Sequence, residues 1–477
     1  MSRHTTFRYC LDPTVEQQAV LSRHAGAARF AFNKSLDFVK TALTHRKSDP
    51  GHSVPWSGFS LINAFNGWKK SEAAGRVIAV APDGVAEVEA TGLAWRTQVC
   101  QQVFEEAAVD CGRALAAFSD FRIGKRKGTE VGFPRFKRKH ATTPSFRLRN
   151  RLSKTGRAAV RVGDNDIPRS ITLPGIGMLR VREDTRRLRR MLAKGRAKIL
   201  YTTITFRAGR WQISVATEAA DLHPACHHRP RESGDDGGWA GIDRGLSAFL
   251  VAATADGAEV ARINDPPKPL AAGLRQQRRL AKALSRTRKG SRNRKDAAAR
   301  LARHHHHIAN VRRHFLHQVT NRLVKTHDRL VLEDLHVAGM LGNRRLARAI
   351  SDAGWADFAR LLRYKQSWRG GTVVTADRWF SSSKRCSACR TVNPALTLAD
   401  RVFTCGCGYR ADRDHNAAVN LAVWAATHQD QSRSPDPQAG GRVTNARRRE
   451  GADRHPTGAS ETGPDDAGTD VHTPEVA

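Results

Sequence analysis

The chain has 477 residues, room for about three ordinary domains, and carries a formal net charge of +36 with an isoelectric point near 11.0. Charge of that size exceeds what solubility requires and points to a polyanion held through its phosphates, with nucleic acid the first candidate. No run of 18 or more apolar residues and no apolar segment behind Met1 occurs, which argues against a membrane-spanning or secreted protein and for a soluble, intracellular one.

Phe7 to Leu11 reads as a short strand, and Thr14-Val15-Glu16-Gln17 as a capping box opening a helix through Val20, Leu21, Ala25, Phe30 and Phe32. Trp95 to Phe121 is a second helical stretch, while residues 71–92 show no assignable pattern. The runs Gly124 to Gly128 and Phe133 to Lys139 interleave cations with aromatics. A solvated loop would carry such charges too, but the interleaving makes Arg135, Lys137, Arg138 and Lys139 candidate nucleic-acid contacts. From Ile171 to Glu218 apolar and polar residues alternate around an Ala208-Gly209 turn, predicting a small antiparallel barrel or sheet. Residues 219–238, rich in Pro, Gly and Asp, read as a linker.

Beyond it, Trp239 to Asp243, Leu246 to Ala253 and Ala258 to Ile263 read as three strands. Helices follow over Leu270 to Arg288 and Ala297 to Lys325, then a strand Leu330 to Glu333, a helix Asp352 to Trp368 and a strand Thr372 to Thr375. Three strands followed by helices alternating with strands is the order of an RNase H-like α/β layer. His304 to His307 sit within a helical stripe and point in four directions, so they read as helix surface. His223, Cys226, His227 and His228 could bind zinc, although a His-rich linker accounts for them better. Residues 429–477, with six Arg against nine Asp or Glu and hardly any large apolar side chain, are expected to be disordered.

Three acids in separate contexts carry the chemistry. Asp243 and Glu333 close apolar runs, and Asp414 opens a helical one. Strand ends and helix starts are how a fold gathers distant carboxylates around Mg²⁺, which takes oxygen ligands, for two-metal phosphodiester hydrolysis. Gly245 would let the chain turn away tightly after Asp243. Singly each acid has an ordinary reading: Asp243 as a turn residue, Glu333 in a surface ion pair, Asp414 as a helix N-cap. Cys386, Cys389, Cys405 and Cys407 form two close pairs 15 residues apart, the layout of a four-thiolate zinc ribbon, although the second pair has one intervening residue where two are usual. The other four cysteines are scattered and read as small buried hydrophobes.

With these motifs in view, the chain resembles the transposon-encoded TnpB family, relatives of the compact type V CRISPR effectors. Gly241-Ile242-Asp243-Arg244-Gly245 is similar to the first RuvC motif of that family, Val331 to Met340 to the second, Ser381 to Cys389 to its zinc-binding insert, and Asp412 to Leu421 to the third. Ala25 to Asn33 resembles its helical opening segment, and Gly132 to Lys137 its basic Pro-Arg-Phe-Lys motif. The resemblance implies an RNA-guided DNA endonuclease of the prokaryotic cytoplasm, associated with the nucleoid. Its partners would be a non-coding guide RNA from the transposon end and double-stranded DNA cut beside a short flanking motif. Asp243, Glu333 and Asp414 would hold Mg²⁺, the four clustered cysteines would hold Zn²⁺, and Asp412 would support. Two departures stand out: Arg390 occupies a position where the family usually has Gly, and the Cys405-Gly406-Cys407 pair is one residue short.

The expected architecture is multidomain α/β. Residues 1–13 give a first barrel strand, 14–135 a helical recognition region, 136–218 the small antiparallel β-barrel and 219–238 the linker. Residues 239–384 and 411–428 form an RNase H-like RuvC nuclease domain, with the zinc ribbon inserted at 385–410 and the tail at 429–477. Two rivals are a guide-directed DNA-binding regulator that does not cut, against which the intact acids argue, and a transposase with an RNase H-like site, whose usual acid order is Asp, Asp, Glu. A zinc-ribbon nucleic-acid-binding protein would leave all three acidic motifs unexplained.

Overall fold

The computed structural model describes residues 3–80, 86–126, 128–139, 141–152, 156–164, 166–219, 226–232, 237–397, 399–428, 453–454 and 460–461. The chain divides into two compact units, Met1–Ala220 with Gly441–Ala477, and Asp221–Gly440. The tail expected to be disordered lies outside the described residues, apart from a two-residue antiparallel pair, Asp453–Arg454 with Ser460–Glu461.

In the first unit β1 (Arg3–Cys10) leads into α1 (Val15–Ser48), where Thr14 and Gln17 form the reciprocal capping box the sequence predicts. The helix runs well past Phe32. Leu21, Ala25, Ala28, Phe32, Leu36 and Val39 recur every three or four residues and are all buried, so one continuous apolar stripe carries it past Phe32 to Val39. Then come α2 (Gly58–Trp68), the hairpin β2 (Arg76–Val80) and β3 (Ala86–Thr91), and α3 (Gln101–Arg122). Residues 95–100, expected in the long helix, hold only a short 3-10 turn. α2 and α3 approach closely at Gly112, where a Cβ would stand 2.5 Å from the backbone nitrogen of Gly58.

The rest of this unit is β4 (Ser145–Arg149), β5 (Arg161–Val162), β6 (Ser170–Leu173), β7 (Gly177–Arg180), α4 (Arg186–Ala193), β8 (Ala197–Arg207) and β9 (Arg210–Ala219). They make two antiparallel sheets, β1-β9-β8-β4 and β5-β6-β7, where a single barrel was one of the two sequence expectations. Isolated bridges, Leu11 with Val181 and Leu152 with Ala158, join strand extensions of one sheet to those of the other. The β8–β9 turn falls at Ala208-Gly209 as expected; both residues are left-handed, φ 52° and 72°, the backbone that matches a hairpin's twist.

The second unit opens with β10 (Trp239–Asp243), β11 (Leu250–Thr254) and β12 (Glu259–Ile263), then α5 (Pro269–Ser285) and α6 (Arg292–Thr326). There follow β13 (Arg329–Glu333), α7 (Val337–Met340), α8 (Ala347–Ala353), α9 (Trp355–Trp368), β14 (Thr372–Ala376), β15 (Val402–Thr404), β16 (Arg410–Asp412) and α10 (Arg413–Thr427). The main sheet has the order β12-β11-β10-β13-β14. Its first three strands are antiparallel, whereas β13 runs parallel to both β10 and β14. β10 and β13 are covered on both faces, which is why they read as unbroken apolar runs. Ala240, Ile242, Leu330 and Leu332 pack with Leu316, Leu323, Phe358 and Leu362 of α6 and α9; Trp239 and Val331 pack with Leu421 and Ala422 of α10 on the other face.

Three local expectations change. The Leu246 to Ala253 strand begins only at Leu250. The helix expected from Asp352 breaks at Gly354, φ 62°. Asp352 itself is buried, and its carboxylate accepts the Leu270 and Ala271 N–H groups at 2.8 and 3.0 Å, capping α5 from a distance. The described part of the expected linker is held down: Arg231 pairs with Asp328 at 2.5 and 2.8 Å, and the His228 N–H donates to the Arg369 carbonyl. His223 lies outside the described residues. Among the described residues no helix is long and apolar enough to cross a membrane.

Candidate active site

β10 and β13 lie side by side and parallel, with Ile242 opposite Leu332, so their last residues, Asp243 and Glu333, emerge together at one edge of the sheet. Asp414 is the second residue of α10, the helix laid across β10. Gly241 permits that placement: a Cβ there would meet the Ala418 carbonyl oxygen and stand 2.6 Å from the Ala422 nitrogen. Gly245 does not adopt a left-handed backbone, and the chain bends immediately after it, over residues 246–249. It also makes room, since a Cβ would be 2.8 Å from the Ala248 carbonyl and 3.8 Å from Asp414 Oδ2. Asp412, not Asp414, caps the helix, accepting the His415 N–H at 2.9 Å. Asp414 is thereby left for another role.

Burial pushes the Asp243 carboxyl well above the usual carboxylate range, the charges of Glu333 and Asp414 push it further, and Arg413 and Arg244 oppose them. Three converging carboxylates repel, which is the electrostatics of a cation site. Two of them, Glu333 and Asp414, have fixed neighbours. The Ser382 hydroxyl lies 2.5 Å from Glu333 Oε1, Arg413 Nη2 lies 3.2 Å from Asp414 Oδ1, and buried Arg244 donates to the Glu333 carbonyl at 2.6 Å. Burial lowers that guanidinium to about 10. Among the described residues the acids do not draw together as tightly as the cysteines, which alone form a set of three or more potential ligands with all ligand atoms within 4.8 Å.

Cys386, Cys389, Cys405 and Cys407 converge as expected, with Sγ separations of 3.8 Å for Cys386–Cys407 and 3.5 Å for Cys389–Cys405. A tetrahedral ion with bonds of about 2.3 Å to sulfur needs edges of roughly 3.8 Å, so the donor set fits zinc. The short second pair is accommodated by a tighter turn. In the first pair the Arg390 N–H reaches back four residues to the Cys386 carbonyl, and in the second the Gly408 N–H reaches back three to Cys405, both at 3.0 Å. Both residues that close a turn are left-handed, Arg390 at φ 66° and Gly408 at φ 86°.

Asn416 and Asn420, both buried on α10, lie within the motif from Asp412 to Leu421, where residue type alone announces no role for them. Asn416 donates to the Arg385 carbonyl at 2.7 Å and accepts the Ser387 N–H at 3.0 Å; Asn420 donates to the carbonyls of Ser382 and Arg385 at 2.9 and 2.5 Å. They fasten the segment that enters the cysteine cluster to the helix that carries Asp414. Ser382 belongs to the same segment, so Glu333 is tied to this framework too.

In the first unit, Arg135, Arg138 and Lys139 are exposed, whereas Lys137 is half-buried with its ammonium over the Phe32 ring at 3.8 Å. Asn33 grips the Lys137 backbone at both ends, accepting its N–H at 2.7 Å and donating to its carbonyl at 3.0 Å. Lys137 therefore anchors the loop, and the other three present charge. The second unit carries a denser basic feature: residues 275–303, around the α5–α6 turn, hold twelve Lys or Arg against one acid, Asp296.

Three family models match the chain: "Probable transposase" over residues 223–344, "Cas12f1-like, TNB domain" over 355–421, and "Helix-turn-helix domain" over 1–48. The last match falls on β1 and the single helix α1. The chain is 36% identical over 471 residues to "Putative RNA-guided DNA endonuclease Rv2885c" of Mycobacterium tuberculosis, covering 95% of both sequences. It is 32% identical to "Putative RNA-guided DNA endonuclease" of Streptomyces pristinaespiralis, covering 87% of this chain and 88% of that one. With "Putative RNA-guided DNA endonuclease InsQ" of Escherichia coli K12 the identity is 28%, over 91% and 97%.

Proposed function

The chain belongs to the TnpB family of transposon-encoded RNA-guided DNA endonucleases, and on that premise we propose that Asp243, Glu333 and Asp414 form its DNA-cleaving centre. The observation that carries the reading is the position of these acids, at the neighbouring ends of β10 and β13 and the start of α10, close enough that burial and the charges of Glu333 and Asp414 push Asp243 toward the protonated form. A site so arranged gains most by binding divalent cations. Mg²⁺ held by Asp243, Glu333 and Asp414 would supply polarisation of the attacking water and of the leaving oxygen. Glu333 keeps one oxygen on Ser382 and presents the other. Arg413 holds Asp414 and Arg244 holds the backbone at Glu333. Both guanidiniums also temper the negative field when the cations are absent.

The five-stranded sheet, three antiparallel strands followed by two parallel ones with helices on both faces, supports an RNase H-like, RuvC-type domain. The seven strands joined by the Leu11–Val181 and Leu152–Ala158 bridges support a barrel. The four cysteines would hold one structural zinc. A cytoplasmic site of action, where guide RNA and DNA meet, goes with this reading. The test is cleavage by the RNA-loaded protein under Mg²⁺ titration: Asp243→Ala and Glu333→Ala should each lose more than a hundredfold, on the order of 3 kcal/mol of transition-state stabilisation, while DNA binding persists. Wild-type cutting by Asp243→Ala would remove this centre from the chemistry.

A further inference from the structure

We infer that Trp379 is a stacking platform for bases of the single DNA strand led to the carboxylate site, an assignment that rests on the nuclease reading above. Nine tryptophans occur in the chain. Eight are buried or half-buried, and Trp379 is 87% exposed, the most exposed large apolar side chain among the described residues. Exposing an indole forfeits its burial energy, so its position needs a cause, and its surroundings supply one.

Trp379 sits three residues past Ala376, the register partner of Glu333 on β14, and three residues before Ser382, whose hydroxyl touches Glu333. The tryptophan is thus bracketed on both sides by contacts to a residue of the proposed centre. Its turn is fixed: the Trp379 N–H donates to Asp377 Oδ1 at 2.8 Å and the Phe380 N–H to the Asp377 carbonyl at 3.1 Å. Beside the indole an open cavity of about 510 Å³ is walled by Asp334, Arg363, Thr375, Asp377 and Arg378. Arg378 is held by Asp334 at 2.5 Å and Arg363 by the Thr375 hydroxyl at 2.8 Å, so two guanidiniums stand at set positions in the cavity that the indole also lines.

A protein-docking patch would cluster apolar side chains, but the walls here are charged and polar. An exposed indole beside a cavity that also holds two arginines is the arrangement that holds a single strand, bases stacked on the ring and phosphates met by cations. Duplex bases spend their faces on one another, so only an unpaired strand offers one. Stacking does not depend on base identity, as suits an enzyme whose sequence choice resides in a guide.

The experiment uses the full-length, RNA-loaded protein and single-stranded or pre-opened DNA carrying 2-aminopurine at successive positions, with EDTA for binding and Mg²⁺ for cleavage. Wild type should quench one or two positions near the cut. Trp379→Ala should lose the quench and raise KM for the strand about tenfold with little change in kcat, and Trp379→Phe should recover most of both. Quenching and KM unchanged in Trp379→Ala would overturn the platform even if the protein cuts normally, and so would Trp379-dependent quenching of labelled guide RNA in place of DNA. Trp379-dependent quenching of DNA in a wild type that never cuts would instead overturn the nuclease reading and leave the platform standing.

Discussion

Two aspartates one residue apart in Asp412-Arg413-Asp414 have different work, and the difference is geometric. Asp412 accepts the His415 N–H as the α10 cap, a role asparagine fills nearly as well. Asp414 faces the site. Asp412→Asn should therefore keep cleavage within about threefold, since the cap itself is worth only about 1 kcal/mol. Asp414→Asn should lose more than about a hundredfold, because an amide cannot supply the charge a cation requires. Single-turnover rates on one guide and target decide it, and equal losses would mean that Asp412 serves the reaction as well. At the cysteine turns, Arg390 adopts the left-handed backbone that its counterpart Gly408 adopts freely, which explains in physical terms why glycine is usual there. Arg390→Gly should raise the stability of the zinc-loaded protein by about 1 kcal/mol, read as a higher Tm with unchanged zinc content. Spacing and residue type alone were enough to predict that the four thiols converge, whereas each of the three acids also had an ordinary reading. The part played by Asn420 was hidden because its partners are the backbone carbonyls of Ser382 and Arg385, and no side-chain pattern announces a carbonyl.

At the scale of elements, strands of the second unit were legible to within a residue or two where an apolar run ends in a charged residue, as at Asp243 and Glu333, because burial on both faces leaves no other reading. Hairpin β2–β3 was not. Its flanking residues alternate only weakly, although Pro82-Asp83-Gly84 between them is a turn sequence that could have located it. The start of β11 was misplaced because Leu246, Ala248 and Phe249 are apolar yet precede the strand, Ala248 and Phe249 packing as loop residues against the cores. The cysteine turns and α10 act as one piece, tied by Asn416 and Asn420 and continuous through β16 into Asp414. Loosening the metal should therefore reach the acids. Cys405→Ser should drop zinc from one to well below one per chain and reduce cleavage at least tenfold, with guide-RNA binding retained because the basic surfaces lie on other elements. Elemental analysis and an RNA-binding titration on the same preparation test this; a metal-free, fully active protein would sever the ribbon from the site.

For the whole molecule, the division of labour follows from charge. A net +36 is far more than three carboxylates and their neighbours need, and much of it stands on surfaces such as Arg135, Arg138 and Lys139 in one unit and the twelve cations around the α5–α6 turn in the other. Backbone contacts of that kind hold an RNA–DNA heteroduplex by its shape and phosphates and carry no sequence information. Choice of target must then come from base pairing with the RNA. The protein freed of RNA should bind DNA in a strongly salt-dependent way but cut it at less than about one hundredth of the loaded rate, a loss of roughly 3 kcal/mol. Replacing the guide segment should move the cut to the new complementary sequence while the short flanking motif stays constant. Purifying the protein with its neighbouring transposon-end sequence, sequencing the bound RNA and reprogramming it against a plasmid library with randomised flanks measures both. Cutting that ignores the guide, or that survives RNase treatment of the complex, would make the acids a centre acting on DNA without instruction and leave the basic surfaces as simple anchors.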